Sequence, residues 1–155
     1  MDKYEYLANE ASEDGVDIID YDFESSNLKG LYQDNTIALS KQLRTINERK
    51  CILAEELGHH YTSSGNILDQ NNTNNRKQEY KARTWAIRKL IHPDDLIRAF
   101  SKGCRDRYEI SDYLDITEDF LDQSLEYFKT QYPNGYISEK YYVMFIPQLR
   151  IFVHF

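Results

Sequence analysis

The sequence predicts an α+β fold. Three observations carry this: β-forming stretches between residues 16 and 43, helical apolar spacing from 46 to 131, and β-rich aromatic runs between 141 and 153. At 155 residues with 41% hydrophobic content, the chain has the length of one domain and the apolar matter to bury a core. We expect residues 1–105 to form that core. Residues 106–155, helices followed by strands, are expected to pack on the same domain.

Each element has a local cause. Tyr4, Leu7, Ala8 and Ala11 give the N-terminal stretch weak helical spacing, which Gly15 ends. Val16–Phe23 mixes β-formers with alternating acids and reads as a strand. Residues 28–32 and 36–39 are the arms of a hairpin turned by Gln33, Asp34 and Asn35. Thr45 and Glu48 form a capping box for a helix over 46–63, which Gly65 stops. Residues 66–75 are asparagine-rich and read as a surface loop. A helix then spans 77–91, with Trp85, Ala86 and Leu90 inward. Pro93 with Asp94 and Asp95 starts another, facing Leu96, Ile97 and Phe100 inward and ending at Gly103. Two short helices follow, over 110–117 and 118–131. Pro133, Asn134 and Gly135 break the chain before strands at 141–146 and 149–153.

The net charge is −7, which argues against binding nucleic acid as the main task. The charge is uneven. Residues 1–26 hold nine acids and one lysine, while residues 76–105 hold nine Lys/Arg and three acids. Either these are two solvated faces, or the second is a basic rim beside a cleft that attracts an acidic partner. Cys51 and Cys104 do not suggest a disulfide framework. With no apolar leader after Met1 and no run long enough to span a bilayer, we expect a cytoplasmic protein with both thiols reduced. A monomer is the expected state.

The segment Glu55-Glu56-Leu57-Gly58-His59 is where chemistry concentrates. Positions i and i+4 share one helix face, so Glu55 and His59 can hold one metal ion while Glu56 reaches a water on it. This is the mechanical logic of the H-E-x-x-H metallopeptidase motif, with Glu55 in place of its first histidine. Glu79, on the following helix, supplies a third ligand, and Glu56 is the candidate general base. The plainer reading is a pair of glutamates on an exposed helix face.

Residues 52–93 resemble the ImmA/IrrE family of metallopeptidases. Ile52-Leu53-Ala54-Glu55-Glu56-Leu57-Gly58-His59-His60-Tyr61 looks like that family's active-site helix. Downstream, Glu79, Ala82, Ala86 and Leu90 are similar to its second signature, with Trp85 as the aromatic and Pro93 following. Arg83 stands where the family usually has Asn. The resemblance continues more weakly over residues 16–130.

It implies a zincin-like minimal metallopeptidase core, a small sheet packed on the active-site helix, followed by a helix-turn-helix-like segment. It implies an endopeptidase that cleaves a helix-turn-helix repressor of the Xre or cI type and so derepresses a prophage or mobile element. Carried over, Glu56 is the catalytic glutamate, and Glu55, His59 and Glu79 are the metal ligands. Zn²⁺ is the expected ion. Two carboxylates in the set make Mn²⁺ the alternative. The departure at Glu55 leaves three outcomes: a working Glu-His-Glu site, a site with His60 as substitute ligand, or a degenerate site in a non-catalytic repressor-binding protein. His60 points about 100° around the helix from His59, which favours a supporting role.

Residues 109–129 have the rhythm of a helix-turn-helix, but residues 106–131 hold eight acids and two bases. Reading DNA needs basic side chains on the second helix. We therefore expect a packing or partner-docking unit that does not bind nucleic acid directly.

Overall fold

The computed structural model describes residues 2–63 and 72–154. The chain divides into two compact units, Met1–Leu90 and Ile91–Phe155. Both mix helices with a small sheet, as the sequence predicts.

The first unit opens with α1, Lys3–Glu13. Asp2 caps it by accepting from the Glu5 N–H at 2.8 Å, and Leu7 and Ala11 are buried. Gly15 leaves the helix at φ +75°, a conformation that costs glycine nothing. Then come β1 (Asp17–Tyr21), β2 (Gly30–Gln33) and β3 (Thr36–Ser40), in the order β1-β3-β2. β1 lies parallel to β3, and β2 pairs antiparallel with it. The β2–β3 turn places Asp34 at φ 51° and Asn35 at φ 59°. Both are left-handed positions that short polar side chains tolerate, and the two-residue turn matches the twist of the arms. Central β3 is the most buried strand, through Ile37, Ala38 and Leu39.

β2 is an open edge. The Lys29 carbonyl accepts from Ser40 N–H at 2.9 Å, so Lys29 and Leu31 face β3 with their backbone groups. By antiparallel alternation, Gly30 and Tyr32 turn theirs outward.

α2, Ile46–Thr62, begins at Thr45, which accepts from the Glu48 N–H at 3.1 Å. Its buried face holds Cys51, Leu53, Ala54, Leu57 and Gly58. α3 spans Asn72–Leu90 and packs along α2. It starts five residues before the predicted 77, so residues 72–75 are helix and not loop. The polar, asparagine-rich sequence misled here: a helix can begin without an apolar residue in its first turn. Gly65 and residues 66–71 of the predicted loop lie outside the described residues. On α3, Ala82, Ala86, Ile87 and Leu90 are buried, and Trp85 is half-buried beside them.

The second unit holds α4 (Pro93–Ser101), α5 (Arg107–Tyr113), α6 (Glu118–Gln131) and a sheet ordered β4-β5-β6, from Tyr136–Ile137, Tyr141–Met144 and Arg150–Val153. The His92 ring caps α4 by accepting from Asp94 N–H, and Asp95 returns a bond to the His92 N–H, a capping box formed by histidine. Leu96 and Ile97 are buried as predicted, and Phe100 is half-buried. Thr117 caps α6, whose inner face of Phe120, Leu121, Ser124 and Phe128 meets Phe145. The short β4 was not foreseen; two residues are too few to show alternation. No described helix is long and apolar enough to cross a membrane.

Candidate active site

The site is assembled where α2, α3 and β2 meet, and two glycines permit it. A side chain at Gly58 would run into the backbone of Ala82, so α2 and α3 approach closely there. Gly58 precedes His59, and Ala82 lies three residues after Glu79. The close approach therefore delivers Glu79 to His59: the Glu79 Oε1 is 3.2 Å from the His59 Nε2. A Cβ at Gly30 would lie 2.6 Å from Ile52 Cγ2 and 3.0 Å from Glu56 Oε1, so β2 can sit directly on the helix face that carries Glu56.

Glu56 is largely desolvated between α2 and β2. Burial pushes its carboxyl up to about 7, the neighbouring Glu55 and Glu79 add to this, and His59 opposes it. The Tyr32 backbone N–H, one of the outward-facing groups of β2, donates to it. A carboxyl poised near neutrality is suited to taking and returning a proton. Glu55 is also raised, chiefly by burial, while the Arg83 guanidinium pulls it down. Glu79 is held below its usual range by the hydrogen bond from His59. For His59, burial disfavours the charged ring, but the bond to Glu79 and the fields of Glu56, Glu79 and Glu55 outweigh it, and the net shift is upward.

His60 is engaged elsewhere. Its Nδ1 lies 2.6 Å from the Tyr32 hydroxyl and its Nε2 2.6 Å from the Asp14 carboxylate. It ties the end of α1 and strand β2 to the last turn of α2. Tyr32 thus touches α2 twice: its N–H at Glu56 and its hydroxyl at His60.

The donor set suits a divalent cation in kind. Two ligands of one tetrahedral ion, each about 2.1 Å from it, are about 3.4 Å apart, close to the His59–Glu79 separation. Three carboxylates crowd one imidazole, and an ion would relieve the repulsion that raises Glu56. The structure brings His59, Glu79 and Glu56 together. Glu55 lies within their field, but among the described residues no group of three His, Cys, Asp or Glu side chains converges as a ligand cluster.

Three features of the site were not anticipated. The backbone of Tyr32 belongs to it, although nothing in a tyrosine's identity announces the use of its N–H. The Gly30 and Gly58 contacts are legible only as glycines inside a strand and a helix. The third concerns Arg83: its departure from the family pattern is legible in the sequence, but not that its Nε is buried with no hydrogen-bond partner.

No curated protein matches the chain. The family model described as the IrrE N-terminal-like domain, peptidase family M78, matches residues 11–126, a span that takes in β2, α2, α3 and every residue of the site described above. Its metallopeptidase character accords with a desolvated glutamate beside a histidine–glutamate pair, and the chain belongs to the IrrE N-terminal-like (M78) family.

Proposed function

We propose that this chain is a metal-dependent endopeptidase that cleaves a helix-turn-helix repressor of the Xre or cI type and thereby derepresses a prophage or mobile element. The observation that carries the peptidase reading is the His59–Glu79 pair at 3.2 Å beside a Glu56 carboxyl held near 7. His59 and Glu79, with Glu55, would hold the ion. Zn²⁺ suits this set, and Mn²⁺ competes because most of the donors are oxygen. The bound ion would supply Lewis acidity toward water and the scissile carbonyl.

The chain's own groups do the rest. Glu56, as carboxylate, takes the proton from the attacking water and, once protonated, returns it to the leaving amine. The outward groups of Gly30 and the Tyr32 carbonyl offer an extended substrate segment a strand edge to pair with, the Tyr32 N–H being held by Glu56. That would set the scissile bond against the face of α2 that carries Glu56. The acidic α5–α6 pair would dock protein partners and not DNA. The protein would act in the cytoplasm as a monomer.

One observation favours a second reading. Glu55, Glu56, His59 and Glu79 do not converge as a ligand cluster. A degenerate site would leave a repressor-binding protein that does not cut. Elemental analysis and repressor cleavage by wild type, Glu56→Gln and His59→Ala decide between them. The peptidase predicts near-stoichiometric metal in wild type and Glu56→Gln, its loss in His59→Ala, and cleavage by wild type alone. Repressor control retained by the Glu55→Ala/His59→Ala variant, with no cleaved fragment from wild type, would establish the binding protein instead.

A further inference from the structure

The last turn of α2 and the outer face of α3 enclose a groove of about 460 Å³, lined by Thr62, Tyr80, Lys81, Trp85, Arg88 and Lys89 among others. Lys81, Trp85 and Arg88 fall at i, i+4 and i+7, one stripe of the helix. The groove begins beside the site. Thr62 is three residues past His59 on α2 and donates to the Gly58 carbonyl at 2.6 Å, and Tyr80 follows Glu79 on α3.

The lining is basic and aromatic. It contains three cations and no acid, on a chain of net charge −7. Trp85 is fixed in place: Tyr61 stacks on it at 5.1 Å, and the Lys89 ammonium sits 5.5 Å from its ring centre. Lys89 is itself paired with Glu10 at 2.9 Å, whereas exposed Lys81 makes no ion pair among the described residues.

We propose that this groove binds an acidic segment of the polypeptide substrate, with its carboxylates meeting Lys81 and Arg88 and its apolar atoms lying on Trp85. This names the substrate chemistry of the site and rests on the peptidase reading above. Placement gives the groove its purpose. A segment held here begins about one helical turn past His59 on α2 and runs along α3 away from Glu79, so charge selects which polypeptide enters the site. Single-stranded nucleic acid also favours cations beside aromatic rings, but it needs a basic track along several phosphates. Here the basic stripe is one face of one helix, with Glu10 already on Lys89 and Glu79 next to Tyr80.

Trp85 is the chain's single tryptophan, so its fluorescence reports the groove directly. The probe is a synthetic peptide of Asp, Glu, Ser and Gly, titrated into Glu56→Gln so that nothing is cut. Its Asn/Gln counterpart and a single-stranded oligonucleotide of similar length are the comparisons. We expect a saturable change in Trp85 emission with the acidic peptide, weakened by salt, and binding at least about tenfold weaker for the neutral peptide. Lys81→Glu/Arg88→Glu should lower the affinity at least as much with an unchanged circular dichroism spectrum. Lys81→Glu alone, at an exposed position, gives the same reading if the double variant does not fold.

Equal binding of the neutral peptide, an unaffected charge-reversal variant, or tighter binding of the oligonucleotide overturns the proposal. Cleavage by wild type and not by Glu56→Gln, with a silent groove, removes this proposal and leaves the peptidase standing. Acidic-peptide binding by a wild-type protein that cuts nothing supports the groove as a docking surface and removes the peptidase.

Discussion

Replacing Glu56 by Gln should stabilise the metal-free protein at about pH 8 and leave its stability nearly unchanged near pH 4.5. The buried carboxyl is raised from 4.5 to about 7, mainly by burial. Because the folded value lies above the unfolded one, the stability contributed by the protonated group is fully present below 4.5 and is lost as pH rises through about 7. A shift of that size corresponds to about 3 kcal/mol once the pH exceeds both values. Glutamine keeps the length of the side chain and an oxygen that can accept from the Tyr32 N–H, but it has no charge to bury. The gap between variant and wild type should therefore open from well under about 1 kcal/mol near pH 4.5 to about 3 kcal/mol near pH 8. Glu55 and His59, also raised, favour the same acid side and are present in both proteins. Urea denaturation with chelator present, at several pH values, measures the gap. A variant no more stable than wild type at pH 8, or a gap independent of pH, would refute the desolvated carboxyl at the centre of the site.

Other perturbations read the remaining supports. Gly58→Ala should separate α2 from α3, cost about 1–3 kcal/mol or more in urea denaturation, and lower metal content, because the added carbon meets backbone that cannot swing away. His60→Ala should cost about 1–3 kcal/mol through its lost bonds to Tyr32 and Asp14, with partial recovery in His60→Gln, measured by the same denaturation. Glu79→Gln removes the group that most raises His59, so the His59 ring should titrate at lower pH, followed by NMR on the metal-free protein. An unmoved titration would mean that the pair at 3.2 Å does not persist in solution.

The parts legible in the sequence are those with local causes. Thr45 with Glu48 announced α2, and Asp34 with Asn35 announced the hairpin turn, since capping and left-handed backbone are set by a few adjacent residues. The pairing of His59 with Glu79 could be suggested from order and spacing, because two consecutive helices with small residues at Gly58 and Ala82 tend to pack closely. The start of α3 was misjudged because Asn72–Asn75 carries no periodic signal. Tyr32 escaped notice because its contribution to Glu56 is a backbone N–H, and which N–H faces outward depends on strand register. Trp85 reads as inward with Ala86 and Leu90; the buried stripe of α3 runs through Ala82 and Ala86 and leaves the indole half-buried at its margin.

The glycine-tight seating of α3 on α2 also makes the site sensitive to register. Glu79 and Arg83 are four residues apart on α3, just over one turn, or about 6 Å along the axis. A helix that slid by that distance toward its own N-terminus would present a guanidinium to His59 where a carboxylate now sits. The sign of the charge at the site is thus fixed by the seating of Gly58 against Ala82, a contact between two residues with almost no side chain. Drift at this locus among related chains would change what the site can hold without altering a single ligand.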